Sequence, residues 1–252
     1  MYLFTILSCF SYKQKIDQLE RLVESQEQQI AVQQELINTL QQKQSNEEDS
    51  SEKDRAPSES DERKARELYD EISVVLKGFV GDPEDLEKIK AQLELIDTQY
   101  GHTKTARRMG RIKKEFDTIG KDVPTDWNIQ DTIQGNWTYD SNKVTLVLFG
   151  EIWCPHSKRE FSTLEQTYQK YINQGLDVVG FVKLTRSSTK DEAIVFLNEN
   201  NVNYPVFKEG GGLSEYLSVA GIPAVAIIKD GKVFWRGHPA RLSSELWNVL
   251  LK

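Results

Sequence analysis

Val144-Thr145-Leu146-Val147-Leu148-Phe149, continued by Gly150-Glu151-Ile152-Trp153-Cys154-Pro155-His156-Ser157-Lys158, is the stretch that decides the fold. Its first six residues are apolar apart from Thr145, the pattern of a strand buried on both faces. Pro155 suits the first turn of a helix, where no N–H is needed, and the helix extends to about Asn173. Cys154 therefore sits where a strand ends and a helix begins. Backbone N–H groups and the helix dipole favour a thiolate there over a thiol. His156, protonated or donating, adds to that stabilisation. A cysteine held this way is a good nucleophile and a good leaving group; a cysteine buried in apolar surroundings is inert. Trp153 and the helix-start context favour the reactive alternative.

Working outward, Leu176–Val182 predicts a second buried strand and Lys190–Glu199 a second helix. Tyr204–Phe207 is short and strand-like. Gly221–Ile228 and Val233–Arg236 flank Asp230-Gly231, a hairpin signal, and Leu242–Leu251 closes as an amphipathic helix. The order β-α-β-α-(β)-β-β-α predicts an α/β fold, a mixed central sheet with helices on both faces.

In that order, Trp153-Cys154-Pro155-His156-Ser157-Lys158 resembles the W-C-x-x-C active site of the thioredoxin superfamily. Gly221-Ile222-Pro223 resembles the cis-proline loop that faces it. Gly120-Lys121-Asp122-Val123-Pro124 resembles the entry segment of the TlpA/ResA-like and peroxiredoxin-like (AhpC/TSA-related) branches. The resemblance covers residues 121–252, about half the chain. It implies a thioredoxin fold, protein thiol or disulfide substrates, and no cofactor. It also implies a cis peptide before Pro223, so that Ile222 backbone groups pair with an extended substrate beside Trp153 and Pro155. An ordinary trans turn proline is the alternative.

Ser157 stands where the family keeps its resolving cysteine. A serine can hydrogen-bond a thiolate but cannot attack a mixed disulfide, so the intramolecular dithiol cycle is unavailable. Leu148 occupies the position where thioredoxin keeps a buried acid. Val147 and Glu151 hold the two key positions of the P-x-x-x-[ST]-x-x-C peroxidatic pattern, which argues against a peroxiredoxin-type peroxidase. Two functions from different classes follow. One is a thiol–disulfide oxidoreductase or isomerase that forms mixed disulfides through Cys154. The other is a redox-inactive thioredoxin-fold module that grips a protein in the groove beside Pro223.

The rest of the chain is read from composition and period. Cys9 and Cys154 are the two cysteines and His102, His156 and His238 the three histidines, which makes neither a disulfide framework nor a metal site. The net charge is −7, and residues 45–62 hold eight acids against two bases, so one segment carries nearly all of it. The near-neutral remainder argues against nucleic acid as a partner.

Residues 1–12 form an apolar leader whose Ile6-Leu7-Ser8-Cys9 resembles a bacterial lipobox. Cys9 would be the lipidated residue, attaching the chain to the membrane on the periplasmic side of the cell envelope. The leader lacks a basic n-region and is shorter than lipoprotein signals, which a misplaced start codon would explain. A cytoplasmic protein with an apolar N-terminus is the alternative. Residues 13–44 carry a heptad, with Ile16, Val23, Ile30 and Ile37 at a, and predict a parallel coiled-coil homodimer. Residues 45–60 read as an acidic linker without the apolar content to fold. Residues 61–120 predict a small bundle of three helices, faintly like a tetratricopeptide hairpin. Asp82-Pro83 starts the second and Gly101 stops it. Thr103 caps the third and Gly120 ends it. Its basic run Arg107, Arg108, Arg111, Lys113, Lys114 suggests an anionic partner or, more commonly, a solvated face, with the acidic helix 84–97 a ready neighbour.

Overall fold

The computed structural model describes residues 58–251, apart from 125, 128 and 130. The leader with Cys9, the coiled-coil heptads and nearly all of the acidic linker lie outside the described residues. Among the described residues no helix is long and apolar enough to cross a membrane, and no group of three or more acids, histidines or cysteines is placed to hold a metal ion.

Three helices come first: α1 (Glu59–Gly78), α2 (Pro83–Tyr100) and α3 (Lys104–Thr118). Each starts where a side chain accepts an otherwise unpaired N–H. Ser58 accepts from Asp61, Asp82 from Glu84 and Asp85, and Thr103 from Ala106. Apolar residues at helical spacing turn inward: Ala65, Ile72 and Leu76 on α1, and Ile89, Leu93 and Ile96 on α2. Glu62 of α1 reaches the start of α3, accepting from the Thr105 hydroxyl at 2.6 Å and the Lys104 N–H at 2.8 Å. The Thr105 hydrogen bond, ahead of the opposing effect of burial, holds the Glu62 carboxyl below its ordinary range. The second helix stops at Gly101, its C-cap, which is right-handed with φ −54° and so ends the helix without a left-handed turn. Of the basic run, Lys113 alone meets the acidic helix, pairing with Glu94 at 2.9 Å.

The second half is a six-stranded sheet of order β1-β4-β3-β2-β5-β6. Its strands are β1 (Thr132–Gln134), β2 (Val144–Gly150), β3 (Leu176–Val182), β4 (Val206–Lys208), β5 (Ala224–Lys229) and β6 (Lys232–Gly237). β2, β3 and β4 run parallel, while β1, β5 and β6 pair antiparallel. Helices α4 (Pro155–Tyr171), α5 (Lys190–Glu199), α6 (Gly212–Tyr216) and α7 (Ser244–Leu250) complete the domain. β5 begins at Ala224 and not at Gly221, because Pro223 has no N–H to give the ladder. Two short elements escape the sequence reading. β1 is three residues long and is held by Gln134, whose side chain donates to the Val202 and Tyr204 carbonyls. α6 is five residues long, after Gly211 at φ 101°. Neither is long enough to show a period.

A glycine notch seats the helix that follows Cys154. A Cβ on Gly150 would come within 2.7 Å of the Phe161 ring, and one on Gly180 within 3.1 Å of it. Two neighbouring strands thus leave room for one aromatic side chain of α4. The Tyr204 hydroxyl pins the same turn by donating to the Phe161 carbonyl at 2.9 Å.

β6 does not end as a bare edge. The segment after α3 runs along it: Gly120 donates to Val233, Val233 to Lys121, and Val123 to Gly231. The Trp235 indole donates to the Phe79 carbonyl at 3.1 Å. Buried residues of the helices and of the sheet belong to one apolar cluster. Arg236, 1 % exposed, donates to the carbonyls of Leu217, Val225 and Gly237. Burial pushes its guanidinium down to about 10.

Candidate active site

Cys154 is the N-cap residue of α4, in extended conformation (φ −86°, ψ 117°). The loop before it closes tightly, with the Cys154 N–H donating to the Glu151 carbonyl at 3.1 Å. The thiol is a free one and is 8 % exposed. Burial pushes it up. Against that, the Ser157 N–H, the Ser157 hydroxyl and the His156 N–H together pull it down by more, while the Glu151 carboxylate opposes them weakly. The net position is below the ordinary thiol value, the direction expected for a thiol at a helix start, although the sulfur accepts no capping hydrogen bond there. Ser157 is fully buried, and its hydroxyl has no partner of full hydrogen-bond geometry; its role is with the sulfur or with nothing. His156 acts through its backbone, not its ring. The imidazole is exposed, with Nδ1 3.4 Å from the Arg159 guanidinium.

Trp153 is held on the other side of the loop. Its indole N–H is shared between the Glu151 carboxylate and the Thr185 hydroxyl, and Thr185 itself donates to Glu151 at 2.6 Å. The Arg186 guanidinium lies over the indole face, 3.5 Å from its centroid, a cation–π contact. Trp153 remains 36 % exposed, so a fixed aromatic surface borders the thiol. Sequence reading missed Thr185 and Arg186 and used Glu151 only to argue against a peroxidase. A carboxylate three residues before the cysteine was the available signal; nothing in the spacing pointed to residues 185 and 186. Glu160 is also buried, with one long contact to Arg159 at 3.4 Å. Leu148, where thioredoxin has its acid, is fully buried in β2.

The proline loop reaches this place through sheet register. Phe149 of β2 pairs with Ala224 of antiparallel β5. The chain leaving β2 toward Cys154 and the chain entering β5 from Pro223 therefore meet at one end of the sheet. The Ile222–Pro223 peptide is cis. Between the loops lies a cavity of about 300 Å³, lined by Glu151, Lys183, Glu209, Ser214, Gly221 and Ile222 among others. Cys154, Pro155, His156 and Ser157 thus share one helix start, Trp153 borders it, and Ile222 and Pro223 stand at the same sheet end. Cys9 lies outside the described residues.

Residues 142–233 match the family model described as Thioredoxin-like. Together with the sheet order and the site above, this makes the second half of the chain a thioredoxin-superfamily domain. Solved structures similar to the chain include a thiol:disulfide interchange protein of the thioredoxin family from Chlorobium tepidum. It is 18% identical, with 53% of this chain and 99% of that one covered and a TM-score of 0.44. StoA from Bacillus subtilis is 18% identical, covering 43% and 84%, with a TM-score of 0.39. The thioredoxin domain of the thiol-disulfide oxidoreductase BVU-2223 from Bacteroides vulgatus is 16% identical, covering 44% and 81%, with a TM-score of 0.39. No curated protein matches the sequence.

Proposed function

We propose that the chain is a thiol–disulfide oxidoreductase or isomerase of the TlpA/ResA-like branch, acting on proteins through the single nucleophile Cys154. The observation that carries this reading is the placement of the free Cys154 thiol at the start of α4, at the sheet end where β5 is entered from the cis Ile222–Pro223 peptide. The thiolate attacks one sulfur of a substrate disulfide. A Cys154–substrate disulfide forms, the substrate S–S bond breaks, and the other substrate sulfur leaves as a thiolate. Ser157 cannot attack, so release needs a thiol from elsewhere. If the thiolate of a third substrate cysteine attacks the substrate sulfur, Cys154 leaves and the substrate disulfide is rearranged without net redox change. If an outside thiolate attacks the Cys154 sulfur, the substrate leaves reduced; a second outside thiol then frees Cys154 and carries off the oxidised pair as a disulfide.

Ile222 and the cis-proline loop supply a backbone edge for an extended substrate, and Trp153 an aromatic border. The TlpA/ResA-like assignment draws support from the entry segment Gly120–Pro124, which pairs along β6. In this reading the N-terminal segment anchors the protein to the cell envelope through lipid on Cys9, and the heptads make it a dimer. Labelled palmitate incorporation lost in Cys9→Ala, and sedimentation equilibrium with and without residues 1–60, test those two parts. The central test is non-reducing capture from cells. Disulfide-linked partners held by the native chain and absent with Cys154→Ala are expected; none in either would end the enzyme reading.

One observation favours a second reading. The thiol is 8 % exposed, which suits a redox-inactive module that binds proteins in the same groove. The rate of Cys154 alkylation by a small reagent separates the two: a thiol that stays unreactive above its ordinary pKa is a packing residue.

A further inference from the structure

One side of α3 is positive and unpaired. Lys104, Arg107, Arg108, Arg111 and Lys114 recur every three or four residues, so they share a side of the helix, and all five are exposed. The neighbouring charges of α3 behave differently. Lys113 pairs with Glu94 and Asp117, and Glu115 with Arg241. Among the described residues, the five stripe side chains have no such carboxylate. Five like charges along one helix repel one another, a cost that an anionic partner would reverse.

The position of the stripe tells what that partner is. Nη1 of Arg111 lies 2.8 Å from where a Cβ on residue 221 would stand. Glycine at 221 leaves room for the guanidinium, and Gly221 is followed directly by Ile222 and the cis-linked Pro223. The stripe therefore touches the loop proposed to hold the substrate backbone at Arg111, and from there Arg108, Arg107 and Lys104 run away from it along α3. From Arg111 back to Lys104 the helix rises about 10 Å, the reach of roughly three extended residues.

Resting on the thiol–disulfide reading above, we propose that the α3 stripe is a second recognition surface for substrate, taking an acidic segment of the target protein that lies a few residues from the cysteine engaged by Cys154. The charge complementarity selects acidic target chains, and the approach of Arg111 to Gly221 joins this surface to the groove.

The test uses the full chain and two measurements. The first is exchange with peptide mixed disulfides whose flanking residues are Asp/Glu, Ser/Gly or Lys, each rate divided by that for a small neutral disulfide. The second is fluorescence anisotropy of the same peptides in thiol-free, non-exchangeable form. The acidic peptide should exchange and bind about tenfold better than the neutral one, and the basic peptide worse still. The preference should collapse in Arg107→Glu/Arg108→Glu and in high salt. Equal behaviour of the acidic and neutral peptides overturns the proposal, as does a preference unchanged in the double variant. Tighter binding to duplex DNA or anionic vesicles than to the acidic peptide overturns it too. If the small disulfide itself fails to react at Cys154, the enzyme reading falls, and anisotropy still decides the stripe.

Discussion

Ser157 lies three residues beyond Cys154 on the first turn of α4 and is fully buried beside the helix start that carries the thiol. It keeps the hydrogen-bonding half of a resolving cysteine's position and lacks the redox half. The thiol is drawn below its ordinary pKa, and Ser157 cannot resolve a mixed disulfide formed there.

The first consequence is a pH dependence of stability. The folded-state pKa of Cys154 lies below the ordinary value of 9.0, so the folded protein releases this proton before the unfolded chain does. Below the folded pKa the group is protonated in both states and contributes nothing. The contribution grows as pH rises through the folded pKa and is fully present above 9.0. The melting temperature of the native chain relative to Cys154→Ala should therefore increase from about pH 6 to about pH 10. A flat or falling difference would contradict a stabilised thiolate.

Ser157→Cys should restore an intramolecular cycle. The position is fully buried, so the new thiol is sheltered from reagents while remaining beside the sulfur it must attack. Insulin reduction by dithiothreitol should be weakly accelerated by the native chain and strongly by the variant, and adducts trapped at Cys154 should become fewer. A folded variant with no gain in turnover would mean that the groove lacks redox geometry.

Glu151→Gln separates charge from hydrogen bonding. Glutamine can still accept from Trp153 and Thr185, but it removes the carboxylate that opposes the thiolate. The pH profile of Cys154 alkylation should move to lower pH, with the Trp153 fluorescence maximum little changed. A shift the other way would mean that Glu151 acts by positioning the loop and not by its charge.

Arg236→Met tests the support behind the proline loop. The substitution keeps much of the volume and removes the donors to Leu217, Val225 and Gly237. Leaving such buried carbonyls unpaired should cost about 2–5 kcal/mol in urea unfolding. A loss under about 0.5 kcal/mol would show that the carbonyls find other donors.

The long elements were legible because their signals are local. β2 is an apolar run, α4 starts at Cys154-Pro155, and the proline loop carries Gly221-Ile222-Pro223. Thr185 and Arg186 were illegible because their role exists only after β3 carries the chain back beside Trp153. The burial of the thiol was likewise hidden. Trp153 suggested an open site, yet Ser157 and Phe161 sink the first turn of α4 into the glycine notch. The basic run of α3 misled in a different way, since charge balance along the chain does not say which faces meet. Lys113 turns to Glu94, while its arginine neighbours point elsewhere.

The strip of chain from Gly120 to Val123 knits to β6, and the Phe79 carbonyl takes the Trp235 indole proton. The three helices and the sheet are consequently expected to unfold together, as a single calorimetric transition. A fragment beginning at residue 121 would keep the pairing of Lys121 and Val123 but lose the Gly120 bond to β6 and the Phe79 carbonyl that takes the Trp235 indole proton. For anyone transplanting the Cys154 site into another protein, the smallest portable piece starts at α1, well before the redox half of the chain.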